Sequence, residues 1–140
     1  MAHQISLFVE NKPGKMDAVM ELITDRQIDT KALSIASAGS FGVLKMLVNE
    51  PVKVREMLKE AGMAVALEDV VVIELDDLPK GVKKVTALFT AEGINIENAY
   101  GFMAGSKSLF VVETKNGSAL KELASAKGIR VLSDAQIYGL

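Results

Sequence analysis

The chain has 140 residues, 49% of them apolar, a formal net charge of −2 and no cysteine. It can bury a core in one ordinary domain or two small ones. Disulfides and thiolate metal sites are excluded, and the charge gives no general attraction to nucleic acid or an anionic membrane. No stretch is long enough to span a bilayer, and Met1-Ala2-His3-Gln4 carries no apolar signal region. A cytoplasmic location is the expectation. His3, the one histidine, sits at a terminus expected to fray at the surface.

A first strand is expected over 5–10, with Ile5, Leu7 and Val9 on one face and Ser6, Phe8 and Glu10 on the other. The loop Asn11-Lys12-Pro13-Gly14 leads into a helix whose Met16, Val19, Leu22 and Ile23 make one apolar stripe. Proline suits a first helical turn, where its missing N–H is no loss. The helix stops near Gln27, and Ile28-Asp29-Thr30 opens a second strand. Ala38-Gly39-Ser40 marks a hairpin turn, followed by a third strand over 43–49. A second helix over 52–61 turns Val54, Met57 and Leu58 inward and ends at Gly62. A strand over 63–68 closes the set, with a turn at Glu68-Asp69.

The same order then recurs at an offset of 66 residues, without a gap, so that Pro13 falls on Pro79 and Ala38-Gly39-Ser40 on Ala104-Gly105-Ser106. The second strand–loop–helix is 71–76, Asp77-Leu78-Pro79-Lys80-Gly81, then Val82, Val85, Leu88 and Phe89 as the stripe, ending at Gly93. Glycine there suits a left-handed cap, whereas Gln27 at the equivalent place costs about 1 kcal/mol in the same geometry. Ile94-Asn95-Ile96, a strand over 109–115, a helix over 118–127 and a strand over 129–132 complete the copy.

Two copies are too few for a solenoid. They read as two small domains, 1–69 and 70–140, closely coupled because no flexible linker separates them. Each helix has a single apolar stripe, so both helices of a half cover one sheet face. Strand–helix–strand twice, with right-handed crossovers, gives an α+β fold of ferredoxin-like βαββαβ topology. Side-by-side pairing would remove one exposed edge from each copy and give an extended eight-stranded antiparallel sheet with helices on one face. Outer edges and an uncovered face bearing Phe8, Phe41 and Val72 would remain, so a homodimer is expected.

The stretch from Leu7 to Met16, with Ile28-Asp29 after the helix and Ala91 to Ile96 in the second half, resembles the ACT domain, the amino-acid-sensing module of metabolic enzymes. The resemblance covers both halves and is to small stand-alone proteins made of two ACT domains. It implies a small effector held at the joint between paired domains by the loop after the first strand, the start of the first helix and the second strand of the neighbour. Carried onto this chain, the ligand-binding residues are Asn11, Lys12, Pro13, Gly14, Lys15, Met16 and Asp29. The second-half set is Leu78, Lys80, Gly81, Asn95 and Ile96. That half departs from the family's proline–glycine pattern, because Lys80 stands where Gly14 aligns.

Physical chemistry gives the first-half loop two readings. A free helix N-terminus offers unpaired N–H groups and a favourable dipole to the carboxylate of an amino acid. Gly14 lets the backbone come close, and Asn11 and Asp29 would accept from the ammonium group if the family geometry holds. The alternative is a plain structural lead into a helix, with Asn11 as a local cap.

No residue set calls for a cofactor or metal: Asp76 and Asp77 point apart on a strand and, with Glu50, Glu68 and Asp69, read as solvated loop. Ser34, Ser37 and Ser40 have no histidine partner for nucleophilic catalysis. The expected function is therefore a non-catalytic regulatory protein with a free amino acid as effector. The alternative is a ligand-free regulatory subunit gripping an amino-acid biosynthetic enzyme such as acetolactate synthase. Nucleic acid binding would need stacking aromatics and positive charge on the open sheet face, which the chain lacks.

Overall fold

The computed structural model describes all of Met1–Leu140. In order the elements are β1 (Ala2–Glu10), α1 (Lys15–Asp25), β2 (Thr30–Ala38), β3 (Phe41–Val48), α2 (Pro51–Glu60), β4 (Ala64–Leu75), α3 (Leu78–Ala91), β5 (Asn98–Ala104), β6 (Lys107–Glu113), α4 (Gly117–Ala126), β7 (Arg130–Val131) and α5 (Asp134–Tyr138). None of the helices is long and apolar enough to cross a membrane. The chain divides into a first compact unit, His3–Glu68, and a second, Met1–Ala2 with Asp69–Leu140.

In the first unit the strands lie in the order β2-β3-β1-β4. β1 pairs antiparallel with β3 from Ile5↔Met46 to Glu10↔Phe41, and β2 with β3 from Thr30↔Val48 to Ala38↔Phe41. In the second unit the order is β5-β6-β4, with β7 on the other side of β4, again antiparallel. Both orders are those of a ferredoxin-like sheet, and the chain is α+β as its pattern implies. The hairpin turns stand where expected, with Gly39 at φ 66 and Gly105 at φ 61. Glycine takes that left-handed backbone without strain.

The repeat is written in the cores. Ile5, Leu7, Val19, Ile23, Leu44, Met46, Val54 and Leu58 are buried together in the first unit. Seven of these eight positions recur, 66 residues on, as Val71, Ile73, Val85, Phe89, Phe110, Val112 and Leu120 in the second core; the eighth, Ala124, is also buried. Alternation along each strand and the helical stripes put all of these on the helix-bearing face. Burial of such side chains contributes about 1.5–3 kcal/mol each.

The structure corrects several expectations. No turn interrupts Glu68-Asp69: β4 is one strand of 12 residues running through that point, so there are seven strands and not eight. Nothing there breaks a strand, since the junction has neither glycine nor proline. Glu68 is not solvated loop. Its carboxylate accepts from Ser6 Oγ at 2.5 Å, Lys45 Nζ at 2.7 Å and Gln4 Nε2 at 3.4 Å. Burial alone would raise this carboxyl; the bonds from Lys45 and Ser6, the Lys45 charge and the bond from Gln4 outweigh it and hold the group below its ordinary value of 4.5. β1 begins at Ala2, so His3 is a partly buried strand residue, not a frayed end. β2 and β5 begin only at Thr30 and Asn98.

The face opposite the helices also differs from expectation. Phe8 and Phe41 are exposed there, but Val72 is fully buried. After β7 the chain continues beside Val72, with Leu132 N–H donating to its carbonyl at 2.9 Å, and then forms α5, whose Ile137 is buried. A capping box starts this helix, Ser133 accepting from Gln136 N–H while Gln136 accepts from Ser133 N–H.

Candidate functional site

The loop after β1 is tied to the β2–β3 hairpin. Asn11 N–H donates to Ser40 O at 2.9 Å, and its side-chain Nδ2 donates to Ser37 Oγ and to Gly39 O, both at 3.0 Å. Gly39 O can only accept, so the amide orientation is fixed and Oδ1 remains as an acceptor. Ser37 and Gly39 were not in the sequence-derived set. Their role depends on a contact 26–28 residues away, which no local motif encodes.

Lys12 N–H donates to Glu10 O at 2.9 Å and its ammonium pairs with Glu10 at 3.0 Å. Gly14 is the N-cap of α1 at φ 84, and no side chain caps the helix. A Cβ added at Gly14 would meet nothing within 4 Å, so the space over this helix start is open. Lys15 N–H is already given to Lys12 O at 3.2 Å, and the first helical bond is Ala18 N–H to Gly14 O at 3.1 Å. The donors of the first turn without a backbone partner are thus those of Met16 and Asp17. Met16 lies partly buried against the strand, its Cε 4.0 Å from where a Cβ on Gly42 would stand.

Asp29 is not brought to this loop within its own unit. Its carbonyl accepts from Asn49 N–H at 2.9 Å and its carboxylate pairs with Lys31 at 2.8 Å. Asn49 follows the Val48 end of β3, while Asn11 sits beside the Phe41 end. The length of that strand, roughly 24 Å, separates them. Asp29 instead helps line a cleft of about 140 Å³ with Arg26, Glu50 and Lys53.

The second unit is built differently at the same place. Asp77 is an extended N-cap, and α3 starts at Leu78 with Pro79 in its first turn. Leu78, Lys80 and Gly81 are therefore helical residues, not loop. Gly81 N–H donates to Asp77 O at 2.8 Å. Glycine at 81 serves packing: an added Cβ would stand 3.0 Å from Leu75 Cβ. Leu78 lies over Gly101, where an added Cβ would be 3.1 Å from Leu78 Cδ2. Asn95 and Ile96 sit at the far end, as Asp29 does. Asn95 donates to Glu97 at 3.1 Å, its carbonyl accepts from Thr114 at 2.9 Å, and Ile96 packs on the second core.

Comparison with known proteins bears on the fold and the family. No curated protein sequence matches the chain. A crystal structure of a Bacteroides thetaiotaomicron protein is similar at 33% identity and a TM-score of 0.89, over 99% of this chain and 96% of that one. The regulatory subunit of aspartate kinase from Thermus thermophilus, in its ligand-free form, shares the fold at 17% identity and a TM-score of 0.63, over 89% of this chain and 91% of that one. The Thermus flavus regulatory subunit does so at 20% and 0.58, over 89% and 92%. The family of ACT domain pairs matches residues 1–140. With two βαββαβ units of one core pattern, this chain belongs to the ACT domain-pair family.

Proposed function

We propose that this protein is a non-catalytic regulator that binds a free amino acid. The carboxylate meets the backbone of Gly14, Met16 and Asp17 at the start of α1, and Asn11 Oδ1 accepts from the ammonium group. The observation that carries the reading is the uncapped start of α1, with Gly14 in a left-handed conformation and open space above it. Membership of a family of amino-acid-sensing modules supports it. Asp29 can join such a ligand only from another ACT domain, the arrangement that the family's domain joints imply. The regulator works as a homodimer in the cytoplasm. The second-unit set, Leu78, Lys80, Gly81, Asn95 and Ile96, is the weaker candidate, because α3 occupies the place of the loop.

A melting-temperature panel of the twenty amino acids tests this. A ligand at one hundred times its dissociation constant adds about 2.7 kcal/mol, a shift of roughly 5–10 °C for a chain of this size. Gly14→Asp should abolish the shift, while Gly14→Asn should keep most of it. Both residues meet the same left-handed backbone, and only aspartate places a negative charge beside the carboxylate. A panel with no shift for any amino acid removes the sensor reading, and the ligand-free regulatory subunit takes its place.

A further inference from the structure

The helices α1 and α3 are equivalent in the repeat but carry opposite charge on their outer faces. α1 presents Asp17, Glu21 and Asp25, all exposed and spaced at i, i+4 and i+8 on one side. α3 presents Lys80, Lys83 and Lys84, also exposed, at i, i+3 and i+4. Asp17 and Lys83 occupy the same repeat position. None of the six forms an ion pair within the chain.

Neither stripe is explained by its own helix. Like charges three or four residues apart on a helix repel. The macrodipole disfavours cations near an N-terminus and anions near a C-terminus. α3 has no acidic residue in its first turn, and α1 has no basic residue in its last turn, where Asp25 stands. Asp17, in the first turn of α1, suits the dipole, but Asp25 and Lys80 do not, and the like-charge spacing within each stripe is a local cost that an opposite stripe would offset; this chain carries both signs.

We infer that two copies of this chain associate by setting the acidic face of α1 against the basic face of the partner's α3. This rests on the homodimer proposed above and names the surface that forms it. The acidic stripe spans about 12 Å along its axis, and Lys80 to Lys84 about 6 Å, so long lysine side chains can serve all three carboxylates. A two-fold axis makes the same contact twice, α1 to α3 and α3 to α1.

Sedimentation equilibrium of the full chain tests the pairing. Raising salt from about 50 to about 500 mM shortens the Debye length from about 14 to about 4 Å and should weaken the dimer at least about tenfold. Glu21→Lys with Asp25→Lys, and separately Lys83→Glu with Lys84→Glu, should each weaken self-association at least about tenfold. An equimolar mixture of the two double variants should recover a dimer of wild-type affinity, because each then meets opposite charge on both helices. That recovery also shows that both variants are folded. A wild-type dimer indifferent to salt and to both reversals leaves the dimer standing and overturns the helix pairing. Reversed variants that weaken but do not recover on mixing overturn it too. A wild-type chain that stays monomeric at every salt removes the dimer and the pairing together.

Discussion

The two units repeat one core pattern and diverge around it. At the start of the first helix, glycine in the first unit is a backbone device: Gly14 takes φ 84 and touches nothing, leaving an open turn before α1. In the second unit the helix extends back to Leu78, and Gly81 is a spacing device that lets α3 lie against Leu75. On the helix-free face, the first unit buries Gln4 and Ser6 and half-buries the Lys45–Glu68 pair. The equivalent positions of the second unit hold Val70, Val72, Val111 and Asp134, with the three valines buried. The repeat keeps what the core needs and leaves the rest free, so a common fold of the halves does not imply common chemistry.

The helix-free face offers the largest test. Lys45→Met leaves Glu68 in a partly buried site without its counter-charge and should cost about 3 kcal/mol by urea unfolding. Ser6→Val with Lys45→Val, as in the second unit, and Glu68→Leu to remove the stranded carboxylate should recover most of that loss. The polar cluster also sets a pH dependence. The Glu68 carboxyl titrates lower folded than unfolded, so its contribution is fully present above the ordinary carboxylate value. It fades as pH falls through the folded value, and the Glu68→Gln variant should show a flatter acid limb.

Next in size is the contrast of glycines. Gly81→Ala and then Gly81→Val should destabilise progressively, reaching about 2 kcal/mol, because each added carbon presses on Leu75. At position 14 size should not matter. Gly14→Ala should cost about 1 kcal/mol for its left-handed backbone, and Gly14→Asn less. Stability that depends on side-chain volume at both sites would erase the distinction.

The smallest effect concerns the helix ends. Gln27 holds φ 52 where Gly93 holds φ 66. Gln27→Gly should therefore raise the melting temperature by a few degrees, a gain of about 1 kcal/mol, measurable by calorimetry.

The resemblance to ACT domains is carried by Leu7 to Met16, Ile28-Asp29 and Ala91 to Ile96, and family membership agrees with it. The site was less legible. Asn11 and Gly14 could be singled out because proline, glycine and a capping residue have local conformational meanings. That Lys15 N–H is already used, that Ser37 and Gly39 hold Asn11, and that Asp29 lies a strand's length away are consequences of strand register, which joins distant residues.

The sequence by itself determined the repeat, the order of elements within each copy as far as β7, and the buried face of each, but not α5. Those follow from periods of 2 and 3.6 in apolar residues and from glycine at turns, signals that are local and written twice. Only the tertiary structure decided that Glu68-Asp69 continues a strand, that α3 begins three residues ahead of its counterpart and that Val72 is covered while Phe8 is not. Two of these involve partners far along the chain: Ser6 and Lys45 bond Glu68, and the segment at Leu132 bonds beside Val72. Hydrogen bonding and packing between distant residues override local preference at such points, because a buried polar group or a void costs more than a weak propensity can supply.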